Sequence, residues 1–231
     1  MIRLDRFLSK ATALSRSQAS KAIRAGRVTV DGTLARQASE GVADTARVCL
    51  DGEILAPPLP RYFMLHKPPG VVCASEDPTH RTAIDLLNLP NPEGLHFAGR
   101  LDIDATGLVL ITDDGRWSHG IVAPARHRDK TYRVALAQAL PEAQAQRLRE
   151  GILLRGEARM TRPARLECLS PEEWLITLSE GRYHQVKRMF AALGNRVIRL
   201  HRESIGGLFL DPELQAGAYR PLTPEEVALL S

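Results

Sequence analysis

Two stretches near the start of the chain have the apolar spacing of amphipathic helices. The first places four apolar residues three or four positions apart: Leu4, Phe7, Leu8 and Ala11. Ser15 and Gln18 then have the spacing of a capping box, and Gly26 follows where a second helix would end. That second helix would bury three apolar residues: Ala19, Ala22 and Ile23. The pattern therefore predicts two short helices near the N-terminus, each with one apolar face.

Short alternating segments after these helices predict hairpins. Residues 28–30 read Val-Thr-Val and meet Asp31-Gly32, a strong signal for a two-residue turn. Residues 47–50 form a second short strand that ends at Asp51-Gly52. The proline-rich stretch that follows favours neither a helix nor a sheet ladder. We therefore expect a small N-terminal domain of residues 1–55, a linker of residues 56–60 and a second domain of residues 61–231.

The longer C-terminal part predicts mostly strands with helices between them. Strands are expected at residues 62–66, 71–74, 108–112, 131–137, 165–169, 173–179 and 196–201. Helices are expected at about 82–88, 116–122, 141–150, 184–193 and 224–230. Because several strands follow each other with no helix between them, we expect an α+β fold whose mixed, largely antiparallel sheet is flanked by helices.

The composition is that of a folded protein without covalent cross-links. The 231 residues are 44% hydrophobic and 25% charged, which excludes global disorder. The three cysteines are too few and too scattered for a disulfide framework or a zinc site. No apolar run reaches the roughly 18 residues of a membrane span, and no signal peptide is recognisable. We therefore expect a soluble protein of a reducing compartment, the cytoplasm.

The formal net charge of +4 conceals three basic segments. Residues 1–36 carry eight bases and two acids, residues 182–202 carry six bases and no acid, and residues 116–133 carry five bases and one acid. All but five of the 31 bases are arginine, whose planar fork suits phosphate and base recognition. Together the segments indicate a nucleic-acid interface, although solvated helix faces would give the same counts.

The densest group of candidate catalytic residues lies between Gly99 and Gly107. Two carboxylates, Asp102 and Asp104, stand two positions apart directly before the apolar strand at residues 108–111. In an extended segment they would share one face, and a carboxylate there can act as a nucleophile, a general base or a metal ligand. An Asx turn is the alternative explanation for an aspartate before a strand.

Two further motifs combine bases with aromatic or polar residues. Residues 130–133 read Lys-Thr-Tyr-Arg and place Tyr132 on a strand, where it could stack on a nucleobase or simply be half-buried. Residues 180–190 combine an apolar helical stripe, which we expect in the core, with four polar residues facing solvent or a ligand: Arg182, Gln185, Lys187 and Arg188. His184 within this motif is more typical of a structural histidine. Lys67, in a rigid Lys-Pro-Pro-Gly turn, could contact phosphate or be solvated.

Several well-known chemical motifs are absent from the sequence. It contains no phosphate-binding loop, no dinucleotide-binding glycine motif, no His-Glu-x-x-His, no Cys-x-x-Cys and no Gly-x-Ser-x-Gly. Nucleotide hydrolysis, dinucleotide redox chemistry and a zinc site of these types are therefore unsupported. A carboxylate that works beside arginines, without a cofactor or metal, remains.

Three ordered motifs resemble those of the RNA pseudouridine synthases of the RsuA branch, at residues 99–102, 130–132 and 180–189. Residues 3–32 resemble the S4 RNA-binding domain that this branch carries in front, so the likeness covers essentially the whole chain. It implies an isomerase that breaks the N1–C1′ bond of one uridine in 16S ribosomal RNA and joins C5 to C1′, with no metal or cofactor. The implied partner is 16S rRNA or an assembling small subunit, and we expect a monomer.

The resemblance also assigns roles to individual residues. It makes Asp102 the nucleophile, places Tyr132 against the target base and pairs Arg182 with Asp102. RNA contacts are expected in the basic segments and beside the candidate motifs, at Arg3, Arg16, Lys21, Arg24, Arg27, Lys67, Arg100, Lys130, Gln185, Lys187 and Arg188. The alternatives are an RNA-binding or ribosome-assembly protein without catalysis, and a glycosylase that excises the base.

Overall fold

The computed structural model describes residues 1–43, 45–89, 92–123, 126 and 128–231. The chain divides into two compact units, Met1–Pro60 with Leu89–Glu93, and Arg61–Asn88 with Gly94–Ser231. None of the helices in the described ranges is long and apolar enough to cross a membrane.

The first unit has the predicted helices at its centre. Its elements are β1 (Ile2–Arg3), α1 (Leu4–Ala11), α2 (Arg16–Arg24), β2 (Val28–Val30), β3 (Thr33–Leu34), β4 (Gly41–Val42), β5 (Val48–Leu50) and β6 (Glu53–Ile54). The capping box forms as predicted, because Ser15 Oγ accepts from the Gln18 N–H and Gln18 Oε1 accepts from the Ser15 N–H. The apolar faces of both helices supply the core: Leu4, Phe7, Leu8, Ala19, Ala22 and Ile23.

Both Asp-Gly pairs form the predicted hairpin turns. β2 pairs antiparallel with β3 around Asp31-Gly32, and β5 pairs with β6 around Asp51-Gly52. Asp31 has a φ of 50° and Asp51 a φ of 53°, the left-handed conformation that this type of turn requires. Pairing of β2 with β5 completes a four-stranded sheet in the order β3-β2-β5-β6.

The second unit is built on one large sheet. Its elements are β7 (Tyr62–Lys67), β8 (His96–Phe97), β9 (Thr106–Thr112), α3 (Gly115–Val122), β10 (Lys130–Leu136), α4 (Glu142–Glu150), β11 (Arg165–Ser170), β12 (Glu173–Leu178), α5 (Gln185–Ala191), β13 (Val197–Ile205), β14 (Leu208–Phe209), β15 (Tyr219–Pro221) and α6 (Pro224–Leu229). The strand order is β11-β12-β10-β13-β9-β7-β15, with β14 beside β13 and β8 beside β9. Among the pairings of the described strands in this sheet, only β13 with β9 is parallel, which confirms the prediction of a mixed, largely antiparallel α+β fold.

The strands β9 and β13 approach each other closely at Gly107. A Cβ atom there would lie 2.3 Å from the carbonyl oxygen of Arg202, and the φ of Gly107 is +105°. Only glycine therefore fits at this position. The contact ties the start of β9, which directly follows the loop carrying Asp102, to the middle of β13.

Two predicted elements are wrong. Residues 71–74 are not a strand, and Val72 makes only an isolated bridge to Thr82. The prolines at 68 and 69 end β7 there, because neither can donate a ladder hydrogen bond. The helix predicted at 82–88 is only a 3-10 turn over Asp85–Leu87, since Asn88 adopts the left-handed conformation with a φ of 44°.

Candidate active site

A fully buried lysine holds the loop that carries Asp102. Lys67 is the last residue of β7 and has no exposed surface. Its Nζ donates to the carbonyl oxygens of Pro68 at 3.0 Å, Ile103 at 3.2 Å and Ala105 at 2.7 Å. Burial lowers the pKa of Lys67, and the three carbonyl acceptors replace its lost hydration. The prediction that Lys67 contacts RNA is wrong, because its ammonium group is enclosed by the protein.

A buried arginine holds the other side of the same loop. Arg202 in β13 is 1% exposed, and its guanidinium donates through Nε to the carbonyl of Leu108 at 2.8 Å and through Nη1 to that of Arg100 at 3.2 Å. Lys67 and Arg202 thus bind backbone carbonyls on both sides of Asp102. Backbone held at several points restricts where the carboxylate can lie, which is what a preorganised site requires.

The carboxylate of Asp102 faces two side chains from the start of α5. Its Oδ2 lies 3.0 Å from Nζ of Lys187, and its Oδ1 lies 3.4 Å from Nε2 of His184. Lys187 also donates to Asp104 at 2.5 Å, and this hydrogen bond lowers the pKa of Asp104. Burial disfavours the charge of Lys187, but its hydrogen bonds to the two carboxylates outweigh burial and raise its pKa. One ammonium group therefore serves both predicted carboxylates.

The expected pair between Arg182 and Asp102 is absent from the described structure. Arg182 Nε lies 3.3 Å from Glu180, and Nη1 lies 3.6 Å from Glu157. Nη1 also donates to the carbonyl of Arg159 at 2.9 Å, and Nη2 donates to that of Met160 at 2.6 Å. The guanidinium is engaged by these nearer acceptors, so Lys187 and His184 occupy the place beside Asp102 that the sequence reading gave to Arg182. Arg182 nevertheless lines the same cavity as Asp102.

Gln185 is buried and serves the backbone around it. It is 5% exposed, its Oε1 accepts from the Arg182 N–H at 2.8 Å and its Nε2 donates to Glu180 at 2.7 Å. The prediction that Gln185 contacts RNA is wrong, because both ends of its amide are bonded inside the protein. Arg188 donates to Glu157 at 2.9 Å and keeps part of its side chain exposed.

The sequence did not predict that His184 lies beside Asp102. This residue precedes α5 in the left-handed conformation, with a φ of 48°. Its ring stacks on that of Tyr183 with centroids 3.8 Å apart and planes inclined by 22°. The signal that could have found it is its place at a junction between a strand and a helix, because loops that join rigid elements commonly carry functional side chains.

Asp102 lies in a cavity of about 570 Å³, a size typical of sites for small organic groups. The two aromatic residues in its wall are Tyr132, which is half-buried on β10, and Tyr183. Besides Arg182, four basic side chains line it: Arg100, Arg128, Lys130 and Arg202. Burial and the nearby charge of Arg202 lower the pKa of Lys130. None of these four residues has an ion pair with an Asp or Glu side chain in the part of the chain that the structure describes. Arg128 donates to the oxygens of Leu229 and Ser231, and Arg202 is buried against backbone carbonyls. Arg100 and Lys130 therefore leave positive charge on this wall that attracts anions.

The five bases predicted to bind RNA from the first unit are all exposed. Arg3 and Arg16 both pair with Asp5, at 2.8 Å and 3.3 Å. Arg27 pairs with Asp51. The other two, Lys21 and Arg24, lie in the last turn of α2 and have no acidic partner among the described residues.

Comparisons with known proteins agree with these observations. The family model described as RNA pseudouridylate synthase matches residues 61–192, and the S4 domain model matches residues 2–48. The ribosomal small subunit pseudouridine synthases A of Yersinia pestis and of Escherichia coli (strain K12) are each 50% identical over 228 residues, which is 98% of this chain and 97% and 99% of theirs. A solved structure described as the crystal structure of pseudouridylate synthase is 47% identical, covers 100% of both chains and superposes with a TM-score of 0.72. The resemblance in the three motifs is thereby confirmed, and the chain belongs to the RNA pseudouridylate synthase family, with an S4 domain at its N-terminus.

Proposed function

We propose that this protein converts one uridine of 16S ribosomal RNA to pseudouridine, with Asp102 as the nucleophile. The observation that supports this role is the contact of both Asp102 oxygens with Lys187 and His184 inside a cavity that also holds Tyr132. The small-subunit substrate is supported by the names of two relatives, ribosomal small subunit pseudouridine synthases A, that are 50% identical over nearly the full chain.

The reaction is an isomerisation that needs no redox partner and no water. The N1–C1′ bond of the uridine breaks, the uracil turns and C5 bonds to C1′. The proton that C5 loses is balanced by the proton that N1 gains. Asp102 attacks either the sugar or the base, and in both cases the carboxylate must be ionised and held in place.

The surrounding residues have distinct parts in this proposal. Lys187 stabilises the charge of Asp102 through its contact at 3.0 Å. The ring of Tyr132 supports the target base, which offsets part of the cost of removing that base from its stack. Arg100 and Lys130 bind phosphate groups of the RNA on the basic wall of the cavity. Arg182 shapes the cavity wall through its bonds to the segment around residue 160.

The rest of the chain binds the RNA and positions its target uridine at this cavity. In the proposal, residues 1–55 form the S4 domain, residues 56–60 a linker and residues 61–231 the catalytic domain. The protein acts as a monomer in the cytoplasm, on 16S rRNA or on an assembling small subunit, and needs neither a metal nor a cofactor. Among the described residues, no group of three His, Cys, Asp or Glu residues is placed to hold a metal ion.

The decisive experiment compares the wild-type protein with the Asp102→Asn variant. Release of tritium from 5-tritiated uridine in 16S rRNA is expected for the wild type and is expected to be lost in the variant, with RNA affinity retained. Full release by the variant would refute the assignment of Asp102. Unchanged RNA mass separates isomerisation from base excision, and absence of release by the wild type on both naked RNA and assembly intermediates would favour a binding protein.

A further inference from the structure

We propose that Tyr183 is a stacking platform for the nucleobase next to the target uridine in the RNA. The inference rests on the proposed function, because it needs an RNA whose uridine lies against Asp102. Tyr183 was not among the residues expected to bind RNA. One face of its ring stacks on His184, and most of the side chain remains exposed to solvent.

The exposure of Tyr183 is unusual for an aromatic side chain. Its relative exposure is 74%, although its ring lies at the wall of the cavity that holds Asp102. Among the described aromatic residues, Phe209 is the other one that is highly exposed, at 64%, and it does not line the cavity. An aromatic ring left open beside a nucleic-acid site is well suited to stack on a base.

The position of the Tyr183 ring is fixed rather than free. The ring stacks on His184, and the Tyr183 carbonyl accepts from Nη1 of Arg188 at 3.1 Å. The preceding residue, Arg182, is bonded to Glu180 and to backbone carbonyls, and the following residue, His184, lies against Asp102. A ring held in this way loses little conformational freedom when a base stacks on it, which favours binding.

The two tyrosines of the cavity fit two different bases. Tyr132 is half-buried on β10, where the target base must be to meet Asp102. When that base leaves its stack, each neighbouring base exposes a face that had been covered. Tyr183 is exposed and lies in the same cavity wall, so a neighbouring base can stack on it while the target base occupies the cavity. Because His184 contacts both Tyr183 and Asp102, a base stacked on Tyr183 also helps to hold the carboxylate of Asp102 in position.

The test combines protein variants with altered RNAs. The RNA is a 16S rRNA hairpin containing the uridine that the protein modifies, prepared intact and with an abasic nucleotide on the 5′ side, on the 3′ side or at the target. Dissociation constants and pseudouridine formation are measured for the wild type, Tyr183→Ala and Tyr183→Phe. Phe209→Ala is the matched control, because it removes an exposed ring outside the cavity.

We expect Tyr183→Ala to weaken binding of the intact RNA by about 5- to 100-fold, and Tyr183→Phe to stay within about twofold of the wild type. The loss should vanish when one of the two neighbouring nucleotides is abasic and persist when the target is abasic. No loss in Tyr183→Ala, an equal loss in Tyr183→Phe, or a loss that vanishes only with the abasic target would overturn the proposal. Failure of the wild type to form pseudouridine would overturn the proposed function, whereas normal formation with no effect of Tyr183→Ala overturns the stacking role alone.

Discussion

The ammonium group of Lys187 lies 3.0 Å from Oδ2 of Asp102 and also donates to Asp104. This contact joins the first turn of α5 to the loop before β9, two segments that are distant in the sequence. His184 reaches the other oxygen of Asp102 at 3.4 Å. The nucleophile proposed here is thus held between two nitrogen-bearing side chains, and the pKa of the lysine is raised by its hydrogen bonds to Asp104 and Asp102.

Replacing Lys187 is expected to slow the chemical step. Lys187→Met leaves two neighbouring carboxylates without their shared cation, and we expect kcat to fall about 10- to 100-fold, the loss typical of one hydrogen bond to a charged group. Lys187→Arg keeps the positive charge and should retain more activity. Single-turnover tritium release at saturating RNA measures the effect. A wild-type rate in Lys187→Met would show that this contact has no role in the reaction.

Replacing Lys67 is expected to affect the fold and the reaction together. Lys67→Met removes the donor to three carbonyl groups, two of them in the Asp102 loop, and we expect the free energy of unfolding to fall by about 2–4 kcal/mol. Activity should fall even at temperatures where the variant is folded, because the loop is no longer held. Urea unfolding and tritium release test this. A variant with normal stability and a weaker salt dependence of RNA binding would instead indicate a phosphate contact.

Local signals in the sequence predicted local structure well. The capping box at Ser15 and the turns at Asp31-Gly32 and Asp51-Gly52 all form, because each depends on residues only a few positions apart. The order of strands without intervening helices likewise predicted a largely antiparallel sheet. The three motifs placed Asp102, Tyr132 and Arg182 in one cavity.

The burial and the partners of individual polar side chains could not be predicted in the same way. Lys67 and Gln185 have the same local appearance as exposed polar residues, yet both are buried. Lys67 is buried because the carbonyl groups of residues 103 and 105 lie against its ammonium group. The position of these carbonyl groups depends on how β7 pairs with β9. Lys187 rather than Arg182 is the partner of Asp102 because the guanidinium of Arg182 is bound to Glu157 and Glu180.

The free energy of unfolding of the second unit should fall as the pH drops below about 6.5. Burial, reinforced by the nearby ring of His66, lowers the pKa of His201, which also hydrogen-bonds Thr106 at 2.8 Å. As pH falls, the unfolded chain therefore takes up a proton at this histidine before the folded chain does, which favours unfolding. Between pH 6.5 and the lowered pKa, His201→Gln should show a flatter dependence than the wild type. Urea unfolding at several pH values tests this, and parallel curves for the two proteins would contradict it.

The salt dependence of RNA binding should show whether α2 contacts the phosphate backbone. Lys21 and Arg24 are exposed in the last turn of α2 without an acidic partner among the described residues, whereas Arg27 is paired with Asp51. The double variant Lys21→Ala/Arg24→Ala should reduce the slope of log K against log salt by about 1.4, since each contact to single-stranded RNA contributes about 0.7. Arg147→Ala is the matched control, because it removes an exposed arginine from the last turn of α4. We expect its slope to equal that of the wild type. Equal slopes for the double variant and the wild type would show that α2 does not contact the RNA backbone.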